Sequence, residues 1–225
     1  IMSIQASGHL SKMEVTLGDT VAYQLPLDDQ RIPLNDAIGK SIAIEHIGDI
    51  HCIHCGRRSK KSFSQGYCYP CFTKLPQCDT CIMSPERCHF HHGTCRDPAW
   101  GEKYCFTDHF VYLANSSGVK VGITRGTQLP TRWIDQGATQ GLPIFRVQTR
   151  YQAGLIEDCI REFVADKTSW QKMLKGNAES VDLAVIRDEL MAKAESGLEL
   201  LEQEFGLQAL QRLYNETTTQ INFPV

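Results

Sequence analysis

Apolar and polar positions alternate most regularly in two short runs near the middle of the chain, residues 110–114 and 119–124. These runs predict two antiparallel strands joined through Asn115-Ser116-Ser117-Gly118, with side chains alternating between two faces. One predicted face is apolar and suited to burial under helices: Val111, Leu113, Val121 and Ile123. The other is polar and open above a glycine: Tyr112, Lys120, Gly122 and Thr124.

Helical spacing replaces alternation after this strand pair. A short helix with Pro130 in its first turn and Gly137 at its end precedes a third strand at 144–147. A helix is predicted over 152–165, with apolar residues on its inner stripe: Ile156, Cys159, Ile160 and Phe163. Cys159 lies on that stripe, which favours a small buried apolar role for it.

A longer amphipathic helix, with Ser180 as its cap, is predicted to extend to Phe205. Its apolar positions recur three and four residues apart, which is typical of a packing face within the monomer. The alternative is a seam between subunits, so a homo-oligomer through residues 181–205 is also an expectation.

The N-terminal residues 8–50 hold short apolar runs separated by turn signals such as Gly18-Asp19 and Gly48-Asp49, which predict a small antiparallel β unit. The whole chain is therefore predicted to be α+β. Its expected parts are a small β domain, a metal-binding module, a three-stranded sheet with flanking helices, and an acidic helical segment, at 1–50, 51–109, 110–170 and 171–225.

The distribution of charge along the chain is more informative than its total of −3. Residues 51–155 carry 13 Lys/Arg against 6 Asp/Glu, whereas both flanks are acidic. A local basic surface is typical of a polyanion partner, so a nucleic acid is expected, either DNA or RNA. No apolar run approaches the roughly 18 residues that span a bilayer, so the expectation is a cytoplasmic protein without a membrane partner.

Nine of the ten cysteines and six of the eight histidines fall between His51 and His109. Four of these cysteines follow the pattern C-x2-C-x12-C-x2-C: Cys52, Cys55, Cys68 and Cys71. Two C-x2-C turns at this spacing close a tetrahedral, structural zinc site in the manner of a zinc ribbon or treble clef. Thioredoxin-like redox chemistry is the alternative interpretation.

A second structural zinc is predicted from the cysteines and histidine that follow, although the spacing leaves its ligand set open. The candidates are Cys78, Cys81, Cys88, Cys95, Cys105 and His109. The run Cys88-His89-Phe90-His91-His92 also permits a catalytic metal with an open position, but thiolate-rich sites are usually structural.

Several segments carry a resemblance to known families. The segment Phe110-Val111-Tyr112-Leu113 with Lys120-Val121-Gly122-Ile123-Thr124 resembles the paired strands of the GIY-YIG nuclease superfamily. Arg132-Trp133-Ile134-Asp135-Gln136-Gly137 resembles its arginine-bearing helix, and the segment from Arg150 to Glu157 resembles the later helix that carries its glutamate. The C-x2-C pairs, Gly-Thr-Cys-Arg at 93–96 and Lys-Val-Gly-Ile-Thr-Arg at 120–125 are similar to a family of bacterial zinc-containing proteins called DUF2797, over residues 40–175.

The nuclease resemblance implies a catalytic set of Tyr112, Arg132 and Glu157. In that set Tyr112 helps to activate water, Arg132 holds the phosphate, and Glu157 binds one divalent ion, Mg²⁺. The polar strand face and the arginine-bearing helix would supply substrate contacts: Lys120, Gly122, Thr124 and Gln136. Lys120 and Gln136 depart from the family pattern, because neither supplies the hydroxyl or base expected there.

Three functional hypotheses follow from these patterns. The leading one is a Mg²⁺-dependent, GIY-YIG-like endonuclease. The second is a non-catalytic zinc protein that binds nucleic acid, in which the loop carrying Arg57, Arg58, Lys60 and Lys61 contacts phosphates. The third is a protein-interaction adaptor. A plain structural role is the alternative for each residue, as for Glu157 if it pairs with Arg161 along a helix.

Overall fold

A computed structural model describes residues 6–164 and 178–225. Its strands are β1 Glu14–Thr16, β2 Ala22–Leu27, β3 Gln30–Pro33, β4 Ile50–His51, β5 Arg58–Ser59, β6 His109–Asn115, β7 Val119–Arg125, β8 Gln140–Val147, β9 Leu210–Arg212 and β10 Thr219–Gln220. Its α-helices are α1 Tyr69–Lys74, α2 Pro98–Cys105, α3 Thr131–Asp135, α4 Arg150–Arg161 and α5 Leu183–Phe205. The predicted α+β class is confirmed, with a small N-terminal sheet, a cysteine cluster, a central sheet and a C-terminal helix.

The central sheet is antiparallel and has five strands in the order β10-β8-β6-β7, with β9 also paired to β8. The three strands expected from the sequence are β6, β7 and β8, and β6 lies between the other two. Tyr112 of β6 is opposite Gly122 on one side and Pro143 on the other. The C-terminal β9 and β10 extend the sheet beyond its predicted three strands.

The two faces of β6 carry the predicted sets of side chains, and both faces are buried. Val111 and Leu113 belong to one apolar cluster, which includes Ile156 and Ile160 of α4 and Leu190 of α5. This packing confirms the monomer packing face predicted for the C-terminal helix. Tyr112 and Ala114 face a second cluster, formed with Trp133, Ile134, Ala138, Val21 and Ile221.

The expectation of an open polar face is therefore wrong. Tyr112 is fully buried because α3, the N-terminal sheet and the C-terminal segment cover that side of β6. Backbone hydrogen bonds join the covering segments to each other and to the residue before β8: Val21 donates to the carbonyl of Asn222 at 2.8 Å, and Ile221 donates to that of Thr139 at 2.8 Å.

Local signals set the helix ends. Helix α4 begins after Thr149, whose hydroxyl accepts from the Gln152 backbone while the Gln152 side chain accepts from the Thr149 backbone, a capping box. Helix α5 begins after Asp182, not Ser180, because the Asp182 carboxylate accepts from two first-turn amides. The predicted end of the earlier helix at residue 165, and the predicted domain boundary at 170/171, lie outside the described residues.

The N-terminal β unit is shorter than its sequence pattern predicts. Strands β1, β2 and β3 form an antiparallel sheet, but residues 41–49 form no strand. Ile42, Ile44 and Ile47 are 60%, 81% and 75% exposed, because apolar spacing alone does not supply a hydrogen-bonding partner strand. Among the described helices, none is both long and apolar enough to cross a membrane.

The cysteine-rich region docks against α4. A Cβ placed on Gly154 would lie 2.6 Å from Pro85 Cβ and 2.8 Å from the Glu86 backbone nitrogen, so only glycine permits this approach. Beside it, the Arg150 guanidinium donates to the carbonyl of Ile82 at 2.5 Å. These contacts hold residues 82–86, which follow Cys81, against the first turns of α4.

We expect Gly154→Ala to destabilise the protein by about 1–3 kcal/mol through overpacking against backbone, despite alanine's better helix propensity. The matched control is Gly197→Ala in α5, whose Cβ would meet only the Cys159 side chain, at 3.2 Å. Urea unfolding monitored by circular dichroism measures both. Equal stability of Gly154→Ala and the wild type would contradict the close packing of Pro85 on α4.

Candidate functional site

The first metal candidate is the cluster of Cys52, Cys55, Cys68 and Cys71, whose sulfurs all lie within 4.8 Å of one another. Within it, Cys55 Sγ and Cys68 Sγ lie 3.8 Å apart. Gly56, at a φ of 68°, allows the first C-x2-C pair to turn, and its N–H donates to the Cys52 carbonyl at 2.9 Å. The second pair begins α1, with Cys68 as its N-cap residue.

The pKa values of two thiols in this cluster shift in opposite directions. Burial raises the pKa of Cys52, but backbone N–H groups of Cys55, Cys68 and His54 outweigh it and bring that pKa to about 6. Burial and the neighbouring sulfurs raise the pKa of Cys71 to about 12. Four thiolates this close would repel one another. A divalent cation that prefers four thiolate ligands in tetrahedral geometry would offset their negative charge. The predicted four-cysteine set therefore fits a zinc ion.

Cys78 lies beside this first cluster. Burial raises the pKa of its thiol and the charge of Cys52 acts in the same direction, while the charge of Arg96 lowers that pKa. Its C-x2-C partner in the sequence, Cys81, instead lines a separate cavity. Of the two cysteines in this C-x2-C turn, only Cys81 therefore lines the cavity.

The separate cavity has a volume of about 20 Å³, roughly the space of one atom. Four cysteines line it, together with polar and aromatic neighbours: Cys81, Cys88, Cys95, Cys105, Asp79, His89, Phe90 and Trp100. Possible ligand atoms of Asp79, Cys81 and His89 lie within 4.8 Å of one another. Burial, the carboxylate of Asp79 and the other three cysteines together raise the pKa of Cys81 to about 11.

Asp79 is already held by protein groups. It accepts from the Thr80 backbone at 2.6 Å, and its other oxygen lies 3.0 Å from Arg96 Nε and 3.4 Å from His89 Nε2. Arg96 also donates to the carbonyls of Phe72 and Leu75 at the end of α1, both at 3.1 Å. Arg96 therefore ties the second cavity to the helix that carries Cys71.

His109, a candidate ligand from the sequence, does not line this cavity. It is fully buried at the start of β6, and its Nδ1 donates to the carbonyl of Thr107 at 2.7 Å. Burial lowers the pKa of His109 to about 4, and the charges of Arg150 and Arg125 act in the same direction. The ring is therefore neutral near pH 7, with no hydrogen-bond partner for Nε2 among the described residues.

The structure brings together part of the pocket implied by the nuclease resemblance. The Tyr112 hydroxyl donates to Gln136 Oε1 at 3.2 Å, and a Cβ on Gly122 would lie 2.7 Å from that hydroxyl. Burial raises the pKa of Tyr112, while the nearby charge of Arg132 lowers it. The space expected above Gly122 is thus filled by the tyrosine ring itself.

Glu157 lies on α4, which packs against the opposite face of the sheet from Tyr112. Its carboxylate is 3.4 Å from Arg161, the helix pair that the sequence allowed, and burial raises its pKa. Thr124 is buried, and its hydroxyl donates to the Arg125 carbonyl at 3.3 Å. Lys120, also on β7, is partly exposed.

Sequence reasoning missed Asp79, Arg96 and Arg150 as organising residues. Asp79 lies between Cys78 and Cys81, and Arg96 directly follows Cys95. Their position next to candidate metal ligands could have indicated a role in holding the cysteine-rich region together. Arg150 carries no such signal, because its contact with Ile82 joins positions 68 residues apart.

Together the fold and clusters define an α+β protein with a four-cysteine group able to hold a zinc ion. The chain belongs to the family described as "Protein of unknown function (DUF2797)", whose profile matches residues 39–225. The match includes the similarity found in the sequence and continues through the C-terminal helix and strands. No curated protein and no solved structure matches the chain.

The buried His109 predicts a pH-dependent loss of stability. Its folded pKa lies below its ordinary value of 6.5, so protonation favours the unfolded chain. The neutral imidazole of His109 makes its full contribution to the free energy of unfolding above pH 6.5, and this contribution decreases as the pH falls towards 4. By pH 5 we expect it to have fallen by about 2 kcal/mol.

Urea unfolding of the wild type and His109→Gln at pH 7.5 and 5.0 measures this effect. The wild type should lose more stability between the two pH values than the variant does, because only the wild type carries the buried imidazole. Protonation of cysteine thiols affects both proteins, so the difference isolates His109. Equal losses would contradict its neutral, buried state.

Proposed function

We propose that this protein binds nucleic acid through a basic surface organised by structural zinc. The observation that carries the proposal is the cationic loop Arg57, Arg58, Lys60 and Lys61, which the four-cysteine cluster brackets on both sides. All four residues are exposed. A zinc ion held by Cys52, Cys55, Cys68 and Cys71 would fix both ends of this loop, so its charges would act from a rigid base.

We also propose a second zinc ion in the small cavity, held by the four cysteines that line it, Cys81, Cys88, Cys95 and Cys105. Their sulfurs are farther apart than those of the first cluster, so they would move closer together around the ion. Asp79 and His89 are less suitable, because Asp79 is engaged by Arg96 and His89 Nδ1 lies 2.8 Å from the Thr94 hydroxyl. Groups so engaged are typical of the partners that surround and orient metal ligands. Four thiolates would complete a closed, structural site without a position for substrate.

Zinc analysis of the purified protein tests both assignments, and we expect about two zinc ions per chain. Cys68→Ser and Cys88→Ser should each lower this content by about one, because each removes a ligand from a different cluster. Cys78→Ser and Cys159→Ser are controls that should retain both ions. A full zinc content in Cys88→Ser, or a loss in Cys78→Ser, would overturn the second ligand set.

Mg²⁺-dependent phosphodiester hydrolysis is the second candidate function. The observation that favours it is the contact between the Tyr112 hydroxyl and Gln136, close to Arg132. In a competent site, Glu157 would hold the Mg²⁺ and Arg132 the phosphate, but α4 carries Glu157 on the opposite face of the sheet from Tyr112. Binding without cleavage is the better supported function, because Tyr112 is fully buried and cannot reach a substrate from this position.

Fluorescence anisotropy with labelled single-stranded and duplex DNA and RNA tests the binding function at 50 and 200 mM salt. We expect affinity to fall steeply with salt, because phosphate contacts release counterions. In the double variant Lys60→Ala/Lys61→Ala, the slope of log affinity against log salt concentration should decrease in magnitude by about 2, one for each lost phosphate contact. The charge-matched control Lys40→Ala/Lys193→Ala, outside the loop, should leave it unchanged.

The same oligonucleotides, incubated with and without Mg²⁺ and resolved on denaturing gels, test hydrolysis. Intact strands in the presence of tight binding support the non-catalytic function. Cleavage that requires Mg²⁺ and disappears in Glu157→Ala would instead establish the nuclease. An absence of binding to any of these polymers at 50 mM salt would reject both functions.

A further inference from the structure

We propose that an aromatic surface beside the cationic loop stacks on the bases of single-stranded nucleic acid. This surface consists of Phe63, Tyr69 and Phe72, with Lys61 at its edge. The inference rests on the proposed nucleic-acid binding and specifies the form of the polymer. It does not involve the pocket around Tyr112.

The three rings form a contiguous group. The centroids of Phe63 and Tyr69 lie 5.5 Å apart at an interplanar angle of 60°, and those of Phe63 and Phe72 lie 5.7 Å apart at 25°. Lys61 Nζ lies 5.4 Å from the centroid of Phe63, so cationic and aromatic groups meet on one surface.

The four-cysteine cluster holds these rings in place. Tyr69 directly follows Cys68 and begins α1, while Phe72 directly follows Cys71. Phe63 is fixed from the other side, because its backbone and that of Tyr67 exchange two hydrogen bonds of 2.8 Å. A surface held this firmly loses little conformational freedom when it binds a ligand.

Packing in the protein interior does not explain why a tyrosine occupies position 69. The residue is 60% exposed, whereas Tyr112 is fully buried. Phe63 and Phe72 are partly exposed. A tyrosine that is exposed to this extent leaves aromatic surface accessible to a nucleic-acid base.

The neighbouring charge identifies the partner. The four cations of the loop favour a polyanion, and exposed rings next to cations are the combination with which proteins grip single strands. In a duplex the bases are already stacked, so the rings would gain little there. In a single strand the base faces are available to Tyr69, while the loop contacts the backbone phosphates.

Anisotropy titrations of the full chain with a labelled 12-nucleotide single strand, its duplex, and the same strand with abasic sites test this inference. We expect the intact single strand to bind most tightly. Tyr69→Ala should weaken its binding by about 5- to 150-fold, the loss expected for one base–aromatic stack, while Tyr69→Phe should retain it. Binding to the abasic strand should be insensitive to both changes.

Tyr214→Ala is the matched control, because Tyr214 is 50% exposed and lies in the acidic C-terminal part of the chain. It should bind as the wild type does. Zinc content and circular dichroism of Tyr69→Ala should also match the wild type, because its exposed ring contributes little to the core.

The outcomes separate this inference from the function on which it rests. Salt-sensitive binding that is equal for single strand, duplex and abasic strand, and unchanged in Tyr69→Ala, would overturn the stacking surface and leave the phosphate-binding loop intact. An absence of binding to all three polymers would overturn both. A loss of affinity in Tyr69→Ala for the abasic strand as well would also overturn stacking.

Discussion

Burial of β6 on both faces is the constraint on which the rest of this fold depends. Val111 and Leu113 on one side and Tyr112 and Ala114 on the other are all fully buried. A strand in this position needs a cover on each face of its sheet, since either face left open would expose apolar surface. Helices α4 and α5 supply one cover. Helix α3, the N-terminal sheet and the C-terminal segment supply the other.

The cysteine-rich region meets this core at the start of β6 and of α4. This region contributes few buried apolar side chains and forms no large core of its own, and polar contacts join its parts. Arg96 joins Asp79 to the end of α1, and Arg150 joins Ile82 to the start of α4. Unfolding of the cysteine-rich region would therefore also disturb the start of α4 and the sheet on which α4 packs.

The two candidate activities place different demands on this arrangement. Hydrolysis needs Tyr112 to face substrate, yet that residue fills the space over Gly122 and hydrogen-bonds to Gln136. The proposed nucleic-acid binding needs only cations and a tyrosine that are already exposed, beside the first four-cysteine cluster. The binding function therefore requires no rearrangement of the buried core.

The sequence by itself determined what depends on near neighbours along the chain. The C-x2-C spacings identified the four-cysteine set, alternation assigned Tyr112 and Val111 to opposite faces, and helical spacing located α4 and α5. Tertiary structure alone decided that β9 and β10 extend the sheet, that Cys81 lines the second cavity while Cys78 does not, and that Tyr112 is covered. The physical reason is that periodicity fixes the direction in which a side chain points. What it meets there depends on residues far away in the sequence, such as Val21 and Ile221 over Tyr112.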